Sequence, residues 1–276
     1  MKVLTELSPY ILGFFAINIL LILTQRQQIY HPRSYHSGYN TAFNQIKTIH
    51  YSVNNKKQAA YLYQKGNGPI EKIWIVLGGN ASLALDWLHL LQHYPEQNQA
   101  FLLIDYPGYG NNTGYPSEKN NHQAVVQAYQ AFLDNTNAKP SCYILGHSLG
   151  TAVAVNIAKI LQPKAIVLLS PFTSTYDMSK NIIGHYWAWL LQSFIWDPYK
   201  TKETLIGLKR THPDIKVYLL HGNQDSVVPV SMSREIHTKL KGWAHYQELS
   251  NKDHDLPYTA EKEILQTLQT ASKTGH

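Results

Sequence analysis

Short apolar runs alternate with amphipathic segments along most of this chain. Two runs, 46–53 and 58–63, flank Asn54-Asn55 and predict a β-hairpin. The apolar runs that follow have strand length, and the segments between them carry apolar residues at helical spacing. The strand candidates are 72–77, 100–104, 142–145, 165–169, 217–220 and 245–249, and the helix candidates are 84–91, 125–132, 151–161, 232–240 and 258–268. This alternation predicts a mostly parallel sheet with helices on both faces.

The first 24 residues have a different pattern. Between Leu7 and Leu23 only Ser8, Pro9 and Asn18 interrupt an apolar stretch of about 17 residues, which as a helix is roughly 26 Å long. No small-x-small cleavage site follows, which disfavours a signal peptide, and the polar residues do not recur on one face, which disfavours a buried amphipathic helix. Residues 1–24 are therefore predicted to form a single-pass membrane anchor, with its orientation undecided by the flanking basic residues. Residues 25–45, rich in Gln, Tyr, His and Asn, are predicted to form a juxtamembrane connector.

Composition adds three limits to this picture. The chain has 276 residues, of which 44% are hydrophobic, enough for one large domain over 46–276. The single cysteine, Cys142, excludes an intrachain disulfide and is expected to be buried. The net charge of +6 comes from scattered lysines and arginines, so we expect no nucleic-acid partner and a mild attraction to anionic lipid surfaces.

Residues 171–211 break the alternation of strands and helices. This segment is longer than an ordinary connection and is crowded with aromatic residues, which is typical of a functional insertion. We interpret it as a cap over the site described next. Its candidate acyl-pocket residues are Trp187, Trp189, Phe194 and Trp196, although aromatic residues that only pack together would give the same pattern.

A nucleophile elbow is indicated by the sequence Gly-His-Ser-Leu-Gly at residues 146–150. It follows the apolar run 142–145 and opens an alanine-rich helical segment, so a strand must end, reverse and enter a helix within a few residues. Ser148 is then held in a strained conformation with its hydroxyl clear of the sheet. Only small residues fit at Gly146 and Gly150, because a β-carbon there would collide with nearby backbone.

A serine hydroxyl needs a base, an acid that orients the base, and donors for the oxyanion. Asp225 follows the strand 217–220 and is the predicted acid; Asp197, in the cap, and Asp214, which precedes its strand, are less well placed. His254 follows the last strand and is the predicted base, which gives the chain order Ser, Asp, His.

The predicted oxyanion donors are the backbone amides of Asn80 and Leu149. Asn80 lies in a glycine turn after the strand 72–77, although an ordinary strand-to-helix turn has similar residues. Asp105 is expected to anchor the next loop by hydrogen bonds. His89 and His93 have a spacing suited to a metal, but no third ligand accompanies them, so no metal site is predicted.

These motifs resemble the α/β-hydrolase superfamily, and more closely its membrane-anchored serine hydrolases, a branch that includes lysophospholipases and protein depalmitoylases. The resemblance covers about residues 46–273 and is carried by four segments: 77–81, 105–118, the elbow, and 221–229. It implies the same roles for Ser148, Asp225, His254, Asn80 and Leu149. Two positions depart from the family pattern: Gly78 stands where histidine is usual, and Lys252 stands where glycine is usual.

The sequence thus predicts a membrane-tethered serine hydrolase that cleaves carboxyl esters or thioesters of acyl chains through an acyl-Ser148 intermediate. No cofactor is expected, and the expected partners are a small-molecule or lipid acyl substrate and the membrane. Two alternatives stay open: an acyltransferase that uses the same triad, and a non-catalytic binding or scaffold protein on the same fold.

Overall fold

A computed structural model of the chain describes residues 2–36, 39, 46–136 and 139–273, without the side chains of residues 2–8 and 11. Residues 37, 38 and 40–45 of the predicted connector lie outside the described residues. Eight strands are present in the described part: β1 (Ile46–Val53), β2 (Lys56–Lys65), β3 (Lys72–Leu77), β4 (Gln99–Ile104), β5 (Ser141–His147), β6 (Ala165–Leu169), β7 (Lys216–Gly222) and β8 (Ala244–Leu249).

The helices of the described part fill the connections between the strands. They are α1 (Lys2–Ile29), α2 (Leu88–Leu91), α3 (Glu118–Thr136), α4 (Leu149–Leu161), α5 (Thr175–Ile183), α6 (His185–Leu191), α7 (Thr201–Thr211), α8 (Val230–Lys239), α9 (Leu256–Thr259) and α10 (Glu261–Lys273). Short 3₁₀ turns at Ala84–Trp87 and Gln192–Phe194 precede α2 and follow α6.

All eight strands form one sheet in the order β1-β2-β4-β3-β5-β6-β7-β8. The β1–β2 and β2–β4 pairs are antiparallel, and every other pair is parallel. The predicted hairpin is confirmed: Asn54 and Asn55 both have positive φ, at 49° and 60°, which a tight two-residue turn requires.

The core has two layers, one on each face of the sheet, as the alternation of strands and helices predicts. In β3, Ile73 and Ile75 face the layer formed with α3, α4 and α7, whereas Trp74 and Val76 face the layer formed with α2 and α10. A strand covered on both faces buries consecutive residues, which explains why the central strands are continuous apolar runs.

The parallel arrangement places several loops at one edge of the sheet. The carboxyl ends of β3, β5, β7 and β8 lie at Leu77, His147, Gly222 and Leu249, and the register pairs Leu77 with Gly146 and Gly222 with Leu249. The loops that follow these strands carry the predicted site residues. Parallel strands therefore bring side chains that are far apart in sequence to one edge.

The predicted membrane anchor is wrong. Within the described part of the chain, no helix is long and apolar enough to cross a membrane. The helix α1 does not end at residue 24 but continues through polar residues to Ile29. Its side is docked on the domain: Asn18 is buried, and Gln25 and Arg26 bond to residues beyond α6. The apolar stretch by itself did not indicate this docking, because the partners of Gln25 and Arg26 lie about 170 residues further along the chain.

The segment predicted as a cap, 171–211, contains two kinds of structure. The helix α7 packs on α4, and its Leu205 and Leu208 are fully buried in one core layer. By contrast, α5 has no fully buried residue and α6 has one, Ala188. The part that stands away from the two core layers is therefore the α5–α6 pair, and the outer limits of the cap stay a prediction.

Candidate active site

Ser148 lies at the sharp reversal between β5 and α4. Its φ is 51° and its ψ is −117°, a conformation that residues other than glycine rarely adopt. The Ser148 amide donates to the Leu169 carbonyl of β6 at 2.9 Å, and the Thr151 hydroxyl donates to the Ser148 carbonyl. The surrounding structure thus holds a strained residue in place, as expected of a nucleophile elbow.

The two glycines that flank the elbow are crowded for different reasons. A β-carbon at Gly146 would lie 2.5 Å from the Gly150 carbonyl oxygen, within the elbow itself. A β-carbon at Gly150 would lie 2.2 Å from the Leu77 carbonyl oxygen, at the end of β3. The first glycine allows the reversal, and the second lets α4 start close to the neighbouring strand.

The structure brings Asp225 and His254 together at the carboxyl ends of β7 and β8. The His254 Nδ1 lies 2.9 Å from Asp225 Oδ2 and 3.1 Å from Oδ1. An ionised carboxylate only accepts hydrogen bonds, so Nδ1 carries the proton and Nε2 is the basic nitrogen. Ser148 and His254 line the same cavity.

A second histidine, His221, also contacts Asp225. It is fully buried, and its Nε2 lies 3.1 Å from Asp225 Oδ2 and 2.9 Å from the Val228 carbonyl. Both of these partners accept hydrogen bonds, so Nε2 carries a proton and donates. The Ser233 hydroxyl lies 2.6 Å from His221 Nδ1. No role for His221 is predicted from the sequence; its place four residues before Asp225, at a strand end, is the signal that could have linked them.

Asp225 accepts hydrogen bonds from four directions. Besides both histidines, the Val227 and Val228 amides donate to Oδ1 at 3.0 and 2.7 Å. Burial by itself would raise the pKa of Asp225, but the bonds from His221, His254 and Val228 outweigh it and hold the pKa well below its usual range. Asp225 therefore stays ionised beside His254.

His147, between Gly146 and Ser148, supports the loop of His254. Its Nε2 donates to the His254 carbonyl at 3.0 Å, and the two rings lie 4.8 Å apart. Burial, with repulsion from His254, lowers the pKa of His147 to about 3. His147 is thus neutral and holds the backbone of the predicted base.

The loop of Asn80, the predicted oxyanion donor, is hydrogen-bonded to His31, Arg33 and Tyr109. The Asn80 Oδ1 accepts from the His31 amide at 2.7 Å and from the Tyr109 hydroxyl at 3.1 Å. Arg33 donates to the next carbonyl, that of Ala81, at 3.0 Å. Leu149 is the first residue of α4, where amides have no partner within the helix. These contacts fix the backbone of the Asn80 loop beside Ser148.

Asp105, which directly follows β4, bonds through its side chain to the segment after β3 and to Tyr35. Its carboxylate accepts from the Ala84 amide at 2.8 Å and from the Tyr35 hydroxyl at 2.7 Å. Burial raises the pKa of Asp105 to about 6, against the effect of these two hydrogen bonds. Asp105 does not line the cavity that contains Ser148.

The cavity beside Ser148 has a volume of about 650 Å³, within the usual range for small-molecule sites. Its apolar wall comes from α1, α5 and the α6 region, and is mainly aliphatic: Leu21, Ile22, Met178, Ile182, Leu191 and Ile195. Polar residues line it near the Asn80 loop: His31, Arg33, Asp86 and His89.

The predicted aromatic pocket residues have different places. Only Phe194 of the four lines the cavity. Trp187 packs against Phe14 of α1, with ring centroids 5.5 Å apart, and Trp196 lies under the Arg26 guanidinium at 5.3 Å. Trp189 is 59% exposed. The aliphatic wall could not be predicted from sequence, because its residues come from α1 and from the segment 178–195, which are far apart in the chain.

His89 and His93 have separate partners. His89 bonds to the backbone of Asp86 and of Pro257, while His93 Nδ1 lies 2.6 Å from Glu261. In the described ranges, no group of three histidine, cysteine or acidic residues could hold a metal ion.

These features agree with a comparison against known families. The family model of the serine aminopeptidases, S33, matches residues 68–205, half of the chain. The chain belongs to this family of α/β hydrolases. The resemblance to serine hydrolases of the lysophospholipase-like branch is thereby confirmed at the level of the family.

Curated proteins similar to this S33-family chain include lipases. A lysophosphatidylserine lipase of Danio rerio, ABHD12, is 31% identical over 144 residues, which are 49% of this chain and 37% of the relative. An uncharacterized protein of Mycobacterium tuberculosis is 36% identical over 138 residues, 49% of this chain and 46% of the relative. The chain therefore matches less than half the length of these relatives.

Solved structures share the fold of this S33-family chain. An esterase from Pyrococcus furiosus superposes with a TM-score of 0.67 at 15% identity, covering 89% of this chain and 97% of the esterase. An α/β hydrolase from Vibrio vulnificus gives a TM-score of 0.65 at 17% identity, covering 83% and 81%. At these identities the likeness concerns the fold.

Gly150→Ala is expected to lower the melting temperature, because the new β-carbon would collide with the Leu77 carbonyl. Such overpacking costs about 1–3 kcal/mol. The matched control is Gly207→Ala in α7, where a β-carbon meets nothing within 4 Å; it is expected to stabilise the helix by about 0.5–1 kcal/mol. Thermal unfolding measures both. Equal melting temperatures for Gly150→Ala and the native chain would contradict the close approach of α4 to β3.

His147→Gln is expected to make the protein less sensitive to acid. The folded pKa of His147 is about 3, whereas an unfolded histidine titrates near pH ~6.5. Between these values only the unfolded chain binds the proton, so stability falls as the pH falls. Glutamine keeps an amide donor for the His254 carbonyl but does not titrate.

Urea unfolding at pH 7, 6 and 5 tests this expectation. The free energy of unfolding of His147→Gln, relative to the native chain, should rise toward acid by up to about 1.4 kcal/mol per pH unit. A difference that is the same at all three pH values would exclude a buried neutral His147.

Proposed function

We propose that this protein is a serine hydrolase that cleaves carboxyl esters of acyl chains, with thioesters as the second class. The observation that carries the proposal is the shared cavity: Ser148 and the Asp225-bound His254 open into one largely aliphatic space. Ser148 is the proposed nucleophile, His254 the base, and Asp225 the residue that orients the base.

In the acylation half-reaction, the Ser148 hydroxyl oxygen attacks the ester carbonyl carbon while His254 Nε2 takes the hydroxyl proton. The negative charge moves to the carbonyl oxygen, where the amides of Asn80 and Leu149 are the proposed donors. As the tetrahedral species collapses, the bond to the alcohol breaks, and His254 passes its proton to the departing alkoxide. The products are an acyl-Ser148 ester and an alcohol.

In the second half-reaction, His254 takes a proton from water, and the hydroxide attacks the acyl-Ser148 carbonyl. Collapse returns the proton to Ser148 and releases a carboxylic acid. Asp225 stabilises the imidazolium formed in each half and remains ionised, because its hydrogen bonds keep its pKa low. Every proton moves among Ser148, His254, water and alcohol, so these steps use no cofactor.

The cavity supports an acyl chain as the bound group. Its aliphatic wall offers contact with methylenes and no fixed charge, whereas the charged side chains that line it near the Asn80 loop are Arg33 and Asp86. The names of relatives, a lysophosphatidylserine lipase and an esterase, agree with an ester substrate. Water as the acyl acceptor is preferred here to an alcohol, because no feature of the described cavity favours a second substrate. A non-catalytic scaffold is disfavoured by the ordered contacts between His254 and Asp225.

Ser148→Ala is expected to abolish labelling by a fluorophosphonate probe and to reduce ester hydrolysis by roughly 10⁴-fold or more. The reason is that no other nucleophile stands at the elbow. The matched control is Ser179→Ala, which removes a hydroxyl that lines the same cavity but bonds to the Tyr176 carbonyl; it should label like the native chain.

A native protein that fails to label would contradict the hydrolase proposal and favour the scaffold. A separate, unlabelled sample of the native protein is then given an ester substrate with added glycerol. Release of free acid as the main product supports hydrolysis, whereas a glyceryl ester as the main product would identify an acyltransferase.

A series of p-nitrophenyl esters is expected to show kcat/KM rising from acetyl to longer acyl chains. Each methylene that enters the aliphatic cavity contributes about 0.8 kcal/mol, which corresponds to up to about a fourfold increase. The rise should level off where the chain fills the cavity. A preference for acetyl over every longer chain would contradict an acyl-chain substrate.

A further inference from the structure

The helix α1 docks on the domain by one face. Asn18, Leu21, Ile22, Gln25 and Ile29 recur at helical spacing, and each is buried or half-buried. The neighbours on the opposite face are open: Leu20 is 59% exposed and Leu23 is 62% exposed.

The docked face of α1 forms part of the cavity that contains Ser148. Leu21, Ile22 and Ile29 line this cavity together with Ile182 of α5 and Leu191 of α6. The cavity therefore has aliphatic side chains from the first helix on one side and from the α5–α6 pair on another. Without α1, this space would be open on that side.

Gln25 fixes α1 to the end of the cap. Its side-chain Oε1 accepts from the Trp196 amide at 2.8 Å, and its Nε2 donates to the Phe194 carbonyl at 2.9 Å. Both bonds join α1 to backbone atoms, so they fix the position of the helix along its axis as well as its distance from the cap.

Arg26 adds an ion pair at the same place. Its Nε lies 3.0 Å from Asp197 Oδ2, and Asp197 is 2% exposed. The guanidinium also lies over the rings of Trp196 and Tyr115, at 5.3 and 5.6 Å. A buried carboxylate needs a partner, which ties this end of α1 to the domain.

We propose that α1 is a wall of the acyl-binding site and that the side chain of Ile22 sets the length of acyl chain that the site accepts. This inference rests on the proposed cleavage of acyl esters. Ile22 is chosen because it lines the cavity one position before Leu23, which points away from it. The two residues thus give a matched pair on one turn of the helix.

The test compares Ile22→Trp with Leu23→Trp in the full chain. The measured quantity is the ratio of kcat/KM for a dodecanoyl ester to that for a butanoyl ester of p-nitrophenol. The larger indole at position 22 takes space from the acyl chain; losing room for two methylenes corresponds to roughly a 15-fold loss. The ratio should therefore fall at least tenfold for Ile22→Trp and should stay unchanged for Leu23→Trp.

A second variant, Ile22→Ala, enlarges the cavity and should move the optimum of the ester series to a longer chain. It also keeps the inference open to test if Ile22→Trp fails to fold, as judged by its melting temperature. Chain-length profiles that match the native one in every folded variant at position 22 would overturn the role of α1. A native protein that hydrolyses none of the esters would instead overturn the proposed function, so the two failures are distinguishable.

Discussion

The active-site geometry depends on a reversal of the chain within one residue. Ser148 adopts a positive φ between β5 and α4, and the reversal fits only because Gly146 and Gly150 leave room for carbonyl groups at their sides. A β-carbon at Gly146 would collide with the Gly150 carbonyl inside the elbow, and one at Gly150 would press α4 away from the end of β3. The loops of Asp225 and His254 lie at the carboxyl edge of the sheet, so the proposed triad depends on the reversal that places Ser148 there.

The second requirement is a carboxylate that stays charged while it is buried. Asp225 is surrounded by donors: two histidines and two backbone amides. His221 has a fixed place in this set, because both partners of its Nε2, Asp225 and the Val228 carbonyl, accept hydrogen bonds. Of the two histidines, His254 is the one that lines the cavity with Ser148. The proposed division, in which His221 holds Asp225 and His254 is the base, follows from these positions.

Much of the fold could be predicted from sequence because its signals are local. Strand-length apolar runs, the Asn54-Asn55 turn and the Gly-x-Ser-x-Gly pattern each act over a few residues, and chain order then places Asp225 and His254 after strands. Features that depend on distant packing could not be predicted. The docking of α1 is such a feature, because the contacts of Gln25 and Arg26 are with residues about 170 positions away, which the pattern of the first 24 residues does not reveal. The same holds for the cavity wall: whether aliphatic or aromatic side chains form it depends on how distant segments pack together.

The N-terminal segment contacts the site at two places: His31 bonds to the Asn80 loop, and α1 lines the cavity. The amide of His31 holds Asn80, and His31 follows closely after the cavity-lining residues of α1. The stretch matched by the family is 68–205, so this wall and this brace lie outside it, as do Asp225 and His254. If α1 is a wall of the acyl site as proposed, sequence change in the first 33 residues alters which acyl chain fits while Ser148, Asp225 and His254 stay the same. Two chains with the same proposed triad would then differ in substrate because of a helix outside the stretch that the family model matches.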